Sequence, residues 1–418
     1  MPSDLLIRGA TVVLPGVFPV QADVAVEGEQ IAAIGHDLRA REEIDARGLH
    51  LFPGVLDAHV HFNEPGRTHW EGWATGSRAL RAGGATACVE MPLNAHPPTL
   101  DGAAFDAKVQ AASASAVVDF ALWGGLTPLN LDRLEELAER GVVGFKAFMC
   151  DSGIDDFPAA DDDTLHAGMA TAAALGLPVA VHAERPARLT TPAGSDWRAW
   201  VASRPVEAEL EAIATAVAIA ADTGCDLHVV HVSSAAGVEL VARAEGVTCE
   251  TCPHYLTLTE DDLETLGTRA KCAPPLRSPA EREALWRQLE AGRIALVASD
   301  HSPCPPAMKA GDFAAAWGGI AGAQATLGLL LERLPPQTAA ALTSANPAKR
   351  FNLPKGRLEP GADADLTLVD LRHREVPELA DRHKLSPYAG RPLPRVVRTL
   401  VRGGATRGRL ITPRKDPA

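Results

Sequence analysis

The sequence lacks any uninterrupted apolar run that approaches the roughly 20 residues of a membrane-spanning helix. Its first residues, Met1-Pro2-Ser3-Asp4, carry neither the basic region nor the apolar stretch of a signal peptide. Basic residues are also in the minority, with 40 Lys and Arg against 53 Asp and Glu and a net charge of −13. This charge repels the phosphates of nucleic acids and anionic membrane surfaces. We therefore expect a cytoplasmic protein with no nucleic-acid partner and no membrane partner.

Cysteine is scarce as well, and its number is odd: the chain has seven. An odd number in a long chain is a poor match for the disulfide framework of a secreted protein. Cys249 and Cys252 have the spacing of half a zinc knuckle or of a redox motif, but no second CxxC pair accompanies them, and structural zinc sites need four ligands. We interpret all seven as free thiols, with a zinc or redox role for this pair as the alternative.

What the sequence does have is an alternation of short apolar runs with stretches of helical spacing. We predict strands at 51–59, 85–91, 117–125, 142–149, 178–182, 226–232, 247–251 and 294–299. Most are separated by predicted helices, at 131–140, 162–175, 206–221, 235–244 and 279–291. The pattern predicts an α/β fold, a (β/α)8 barrel over residues 51–354, whose chemistry lies at the C-terminal ends of the strands.

The two ends of the chain have a different pattern, with predicted strands at 5–13, 23–34, 364–369 and 396–401 and no helices between them. We expect residues 1–50 and 355–418 to pair into a small β unit, which the family resemblance given below identifies as a β-sandwich domain. The two segments meet only if the barrel brings the chain ends together.

His59 and His61 lie two residues apart at the end of the first predicted barrel strand, so both imidazoles project to the same side. Taken alone, such a pair can be two ordinary histidines. Further candidates fall at the C-terminal ends of other predicted strands: Lys146, His182, His231 and Asp300. Scattered structural residues are not expected to share that one edge, and imidazole nitrogens suit zinc, cobalt, nickel or manganese. The positions therefore favour a metal centre.

Lys146 lies in an apolar strand, where a buried ammonium is costly. One explanation is an ion pair with a neighbouring carboxylate. The other is that a neutral amine reacts with carbon dioxide to give N6-carboxylysine, whose carbamate bridges two cations. Four histidines, the carbamate and one aspartate would then hold two metal ions about 3.5–4 Å apart.

Asp300 follows the last predicted strand. A carboxylate there can bind one metal ion and also act as the general base that accepts a proton from water. The alternative is a turn or helix cap. His228 lies three residues before His231, so it points to the opposite side of an extended strand, and we expect a structural role or a contact behind the ligands.

These residues together, with segments 54–61 and 299–303, resemble the cyclic amidohydrolases, the family of dihydroorotases, dihydropyrimidinases or hydantoinases, and allantoinases. Segment 361–366 resembles the return of that family's chain into its β-sandwich domain. The resemblance covers nearly the whole chain. It implies a homotetramer with two divalent metal ions per subunit. Zinc is the favoured metal, and cobalt, manganese and nickel are the alternatives.

The resemblance also assigns roles to the candidate ligands. His59 and His61 would hold the more buried metal ion, with Asp300 on the same side. His182 and His231 would hold the more exposed one, and carboxylated Lys146 would bridge the two.

Within the family, the segments most similar to allantoinases are 64–72, 90–94, 144–146, 154–157, 300–311 and 316–320. Asn94, His254 and Ser302 resemble substrate-contacting positions, although a loop Asn or a capping Ser is the alternative. Dihydroorotases typically place an Arg two residues after the second histidine to bind a substrate carboxylate. Here that position is Asn63, and the loss of a bidentate charged pair argues against an anionic substrate.

The resemblance therefore implies a hydrolase that opens the cyclic amide of allantoin to give allantoate. One alternative is a hydantoinase or dihydropyrimidinase with the same metal chemistry and another ring. A second is a non-catalytic assembly protein of the same fold, which typically has lost metal ligands. Segment 311–322 is a candidate lid, and Trp70, Phe148 and Trp317 are candidates for the pocket wall, with simple packing as the alternative.

Overall fold

The strands of the protein fall into three hydrogen-bonded sheets in the computed structural model, which describes residues 3–414. Residues 1–2 and 415–418, the outer ends of the two predicted terminal segments, lie outside the described residues. The strands are β1 (Ser3–Val12), β2 (Val20–Glu27), β3 (Gln30–Gly35), β4 (Ala40–Asp45), β5 (His50–Pro53), β6 (Val55–Val60), β7 (Ala85–Glu90), β8 (Asp119–Leu122), β9 (Gly124–Gly125), β10 (Phe145–Phe148), β11 (Val179–His182), β12 (Leu227–Val229), β13 (Val247–Thr251), β14 (Leu296–Val297), β15 (Leu366–Glu375) and β16 (Leu393–Leu400).

Helices follow most of the central strands, as the alternation predicts. They are α1 (Trp73–Ala82), α2 (Gly102–Ser115), α3 (Leu134–Glu139), α4 (Asp162–Ala174), α5 (Trp197–Ser203), α6 (Val206–Thr223), α7 (Ala235–Ala242), α8 (Pro253–Thr257), α9 (Leu263–Leu266), α10 (Pro279–Glu290), α11 (Pro306–Lys309), α12 (Thr326–Leu330), α13 (Pro336–Ala340) and α14 (Asn346–Arg350). Local sequence fixes several of their starts: Asp161 and Ser234, for example, accept backbone N–H groups at the first turns of α4 and α7.

The strands from β6 to β14 form the predicted (β/α)8 barrel. Neighbouring strands pair in parallel in two sheets, β6-β7-β8 and β9 to β14. Trp123 alone separates β8 from β9, and a bridge between Val60 and His301 joins the first strand to the end of the last. Strands such as β11 are buried along their whole length, because helices cover one side and the barrel interior fills the other. The predicted fold class is confirmed.

The two chain ends form a seven-stranded sheet with its own apolar core, the predicted β-sandwich. Its structure differs from the sequence-based expectation in three places. Predicted strand 51–59 is two strands, because the chain changes sheet at Gly54, where a Cβ would lie 2.1 Å from Thr86 Oγ1. Predicted strand 23–34 is the hairpin of β2 and β3, turned at Gly28 with φ 58°. Strand β4 has polar residues at most positions and was not predicted.

The C-terminal segment also contacts the barrel directly. Leu410 bridges Phe120 of β8, and the Ile411 N–H donates to the Phe120 carbonyl at 2.8 Å. Between β15 and β16, the Arg382 N–H donates to the Glu71 carboxylate next to α1. The last part of the chain therefore covers the barrel as well as completing the terminal sheet.

All seven cysteines are buried and free, as the odd number predicted. Among the described residues, no helix is long and apolar enough to cross a membrane.

Lys355 joins the terminal sheet to the barrel. Its ammonium lies 2.5 Å from a carboxylate oxygen of Asp119, the first residue of β8, and 2.7 Å from oxygens of Asp363 and Asp365, just before β15. The side chain is 1% exposed. The three aspartates are close enough together to hold a cation, and the lysine ammonium provides it.

We expect Lys355→Met to lower the free energy of unfolding by about 3–5 kcal/mol, because it leaves buried carboxylates without their cation. Urea denaturation followed by circular dichroism measures this. Lys349→Met is the matched control, since Lys349 is exposed on α14 and such a change is worth within about 0.5 kcal/mol. Equal stability of the two variants would contradict the role given to Lys355.

Candidate metal centre

A cavity of about 540 Å³ opens at the C-terminal edge of the barrel strands. Five of the predicted ligands line it: His59, His61, His182, His231 and Asp300. Asn94 and Ser302 line it as well. Lys146, the remaining predicted ligand, is fully buried in β10. The structure thus brings the ends of four strands, β6, β11, β12 and β14, to one cavity, and Lys146 lies on β10 beside β11.

His59, His61 and Asp300 form the first group of donors. The Nε2 atoms of His59 and His61 lie 3.2 and 3.5 Å from the same oxygen, Oδ1 of Asp300. Burial by itself raises the pKa of Asp300, but the facing histidines outweigh it and hold this pKa well below its usual range. The carboxylate is therefore ionised, and the three side chains are placed so that they can hold one metal ion.

His182 and His231 form the second group. Nδ1 of His182 lies 3.1 Å from Nε2 of His231, and the rings of His59 and His231 are 5.5 Å apart between centroids, so the two groups are neighbours. The other nitrogen of His182 lies 2.7 Å from Glu184. If that nitrogen carries the proton, Nδ1 presents a lone pair towards His231. Two nitrogen donors facing one point are suited to a shared cation.

Lys146 has no protein partner among the described residues. Its Nζ is buried without a hydrogen bond and lies 4.9 Å from the centre of the Phe148 ring. Burial lowers the pKa of this amine to about 7. Burial is also the main cause of the lowered pKa of His182 and His231, and the charge of Lys146 adds to it. No ion pair of Lys146, the alternative considered above, is formed among the described residues, and the Phe148 ring that the amine faces stacks on His182.

Three residues at the cavity have positive backbone φ angles. Asn94, His231 and Asp300 have φ angles of 69°, 41° and 44°, in the left-handed region that non-glycine residues rarely occupy. Each follows the end of a strand. Such strain is retained where the surrounding structure holds a side chain in a required direction.

Two glutamates that the sequence did not single out support the histidines from behind. Glu250 Oε1 lies 2.5 Å from Nδ1 of His59, and its other oxygen lies 3.2 Å from Nε2 of His228. Glu184 binds His182 in the same way and is itself held by Arg204. Both glutamates are buried in or beside barrel strands. A carboxylate on one nitrogen of a histidine fixes the other nitrogen as the donor to a metal ion.

The signals for these glutamates were present in the sequence but ambiguous. Glu250 is the acidic residue of the Cys249-Glu-Thr-Cys252 motif, and Glu184 lies two residues after His182. An acid in an apolar strand indicates a buried partner. It does not indicate which residue on another strand is that partner.

The three predicted substrate-contacting residues differ in whether they line the cavity. Asn94 and Ser302 line the cavity, and Asn94 Nδ2 lies 3.4 Å from Ser302 Oγ. His254 does not line it, but its ring is within 4.8 Å of ligand atoms of Asp300 and Cys252. Both ring nitrogens of His254 are buried without a partner among the described residues, and burial lowers its pKa to about 4, so the imidazole is neutral.

Residues 314–318 of the predicted lid segment, 311–322, form part of the cavity wall, and the segment is held by the buried Lys271 and the half-buried Lys309. Lys271 Nζ donates to the carbonyls of Ala314 and Ala316, at 2.8 and 2.6 Å. Lys309 Nζ donates to the carbonyls of Trp317 and Gly319, at 2.9 and 2.7 Å. These four hydrogen bonds fix the segment in its position at the cavity wall.

Three comparisons with known proteins place the chain among relatives of related chemistry. The sequence matches the amidohydrolase family over residues 50–407. It is 54% identical to an allantoinase of Rubrobacter xylanophilus, over 99% of this chain and 98% of that protein. It is 51% identical to an allantoinase of Deinococcus radiodurans, over 99% and 100%. Its fold superimposes on an L-hydantoinase (dihydropyrimidinase) from Arthrobacter aurescens with a TM-score of 0.93 and 34% identity, over 98% and 100% of the two chains.

We expect Glu250→Gln and Glu184→Gln each to lower the affinity for divalent metal by about 10- to 100-fold, because each removes the carboxylate that orients a histidine. Metal retained after dialysis against graded chelator concentrations, measured by elemental analysis, tests this. The control is Glu207→Gln, the same exchange at an exposed position on α6. A glutamate variant that keeps its metal as tightly as the control would show that the hydrogen bond is not needed.

Proposed function

The chain belongs to the amidohydrolase family, and on this premise we propose that it hydrolyses the ring amide of allantoin to give allantoate, with two divalent metal ions at the barrel edge. The observation that carries the proposal is that five of the six predicted ligands line one cavity, with Lys146 buried in barrel strand β10, in a chain that is 54% identical to an allantoinase over 99% of its length. A non-catalytic member of the fold would not be expected to keep all six.

The chemistry of the donors supports a two-metal centre. His59, His61 and Asp300 converge on one point and His182 and His231 on a neighbouring one. The partnerless amine of Lys146, buried and with a lowered pKa, is suited to form the carbamate that would bridge them. Zinc suits imidazole and carboxylate donors, as cobalt, manganese and nickel also do.

The chemistry of the cavity supports a neutral cyclic ureide. Asn63 provides no cationic clamp for a substrate carboxylate, while Asn94 and Ser302 provide neutral groups that hydrogen-bond an amide. The hydantoinase alternative rests on the superimposed structure, which is 34% identical, against 54% and 51% for the two allantoinases. Allantoin is therefore the favoured ring.

Two divalent cations held by the histidines, Lys146 and Asp300 would lower the pKa of water from about 16 towards neutrality and would polarise the ring carbonyl. The residues of the chain do the rest. Asp300, ionised and facing His59 and His61, accepts the proton of the attacking water. The ring C–N bond then breaks, and Asp300 returns the proton to the departing nitrogen. His254, neutral and with both nitrogens free of partners among the described residues, is available to hydrogen-bond the ring.

The same proposal includes a cytoplasmic homotetramer. The family resemblance is what supports the tetramer, and the acidic composition fits a protein that does not bind nucleic acid or anionic membranes.

The proposal is tested by incubating the purified protein with allantoin, hydantoin and dihydroorotate, after reconstitution with zinc in bicarbonate. We expect preferential hydrolysis of allantoin, lost on chelation and restored by the metal ion. Preferential turnover of hydantoin would favour the alternative ring, and no turnover of any of the three would favour a non-catalytic protein.

Asp300→Asn should lower kcat for allantoin by about 100- to 10,000-fold, because an amide cannot accept the proton of the attacking water. Circular dichroism and elemental analysis are needed beside the rate, since Asp300 is also a proposed ligand. A variant that is folded and turns over at the wild-type rate would rule out Asp300 as the general base.

A further inference from the structure

The cavity has two chemically different sides. Asn94 and Ser302, which are neutral, lie beside the proposed metal ligands. Another part of its lining carries two cationic side chains, Arg204 and Lys271, next to Trp200. The mechanism above uses neither cation. Two cations in a cavity proposed for a neutral substrate therefore need an explanation.

The ammonium of Lys271 is already used in contacts within the protein. Its Nζ donates to the carbonyls of Ala314 and Ala316 and lies 3.9 Å from the centre of the Trp200 ring. These contacts account for its position, since they hold the neighbouring cavity wall.

Arg204 keeps one nitrogen available. Its Nε lies 3.0 Å from Glu184 Oε1 and its Nη2 lies 2.5 Å from Glu184 Oε2, with Cys150 Sγ 3.7 Å from Nη2. No acceptor within residues 3–414 takes a hydrogen bond from Nη1. Because the side chain is 15% exposed and Arg204 lines the cavity, this donor is accessible to a ligand.

Glu184 cancels the charge of this donor. The carboxylate is fully buried and binds the guanidinium at two atoms, so the pair as a whole is neutral. A ligand carboxylate at Nη1 would be repelled by Glu184, which binds the other nitrogens of the same guanidinium. A neutral carbonyl oxygen would accept the N–H without this repulsion. The pair therefore favours an uncharged acceptor.

We infer that Arg204 Nη1 donates a hydrogen bond to the carbonyl oxygen of the ureido group that allantoin carries outside its ring, so that Arg204 determines specificity for the ureido arm. The inference rests on the proposed function. The ring amide would lie at the metal centre, and Arg204 would bind the ureido arm at another part of the cavity lining. A five-membered ring without the arm would not use this contact.

The test compares allantoin with hydantoin, which has the ring and lacks the ureido group, in wild type, Arg204→Gln and Arg204→Lys. Hydantoin is followed by turnover or, where turnover is too slow, by its inhibition constant against allantoin. We expect both variants to lower kcat/KM for allantoin about 10-fold or more relative to hydantoin, mainly through KM, because any loss from weaker support of Glu184 and His182 is shared by both substrates. Arg204→Lys retains a cation for Glu184, so it keeps the test valid if Arg204→Gln does not fold.

Arg185→Gln is the matched control, because Arg185 lies beside Glu184 in sequence but pairs with Asp162 outside the cavity. Metal content is measured for every variant. Equal losses for allantoin and hydantoin would overturn the inference and leave Arg204 as a support for Glu184 and His182. Failure of the wild type to hydrolyse allantoin is a separate result, which counts against the proposed function itself.

Discussion

Parallel pairing of the barrel strands is the constraint on which the rest of this structure depends. When neighbouring strands run in the same direction, all their carboxyl ends meet at one edge. Residues that are far apart in the chain, such as His59 and Asp300, are thereby brought within 3.2 Å of each other. No local element could assemble such a site, since each strand contributes only one or two of its donors.

Assembling these donors has a cost, which the surrounding structure offsets. Three residues at the cavity hold left-handed backbone angles, and Lys146 is buried without a hydrogen-bond partner in the part of the chain that the structure describes. Buried polar groups of this kind destabilise a fold unless other contacts compensate. The terminal sheet supplies part of the compensation, because Lys355 and its three aspartates join it to the barrel at β8.

The two supporting glutamates divide the site into two halves. Glu250 and His228 support His59, while Glu184 and Arg204 support His182. The first pair is fully enclosed, whereas Arg204 also reaches the cavity. The second half can therefore connect metal binding with substrate recognition, which a purely internal support cannot do.

The sequence by itself determined the barrel and a small β unit at the chain ends, and it predicted the histidines, lysine and aspartate of the candidate site. These follow from local rules: the alternation of apolar runs and helices, and the two-residue spacing that puts His59 and His61 on one side of a strand. It also pointed away from an anionic substrate through Asn63. The split at Gly54 and the hairpin at Gly28 were missed, because an apolar run does not show where a chain changes sheet.

Only the tertiary structure decided the roles of Glu250, Glu184, Arg204 and Lys355. Glu250, Arg204 and Lys355 depend on partners on other elements: Glu250 and His59 are 191 residues apart, and Lys355 and Asp119 are 236 apart. Glu184 lies two residues from His182, but Arg204, which holds it, lies outside that strand. Side-chain periodicity fixes which way a residue points from its own strand. The identity of the atoms it then meets is decided by strand register and by packing between domains, which no single segment of the sequence contains.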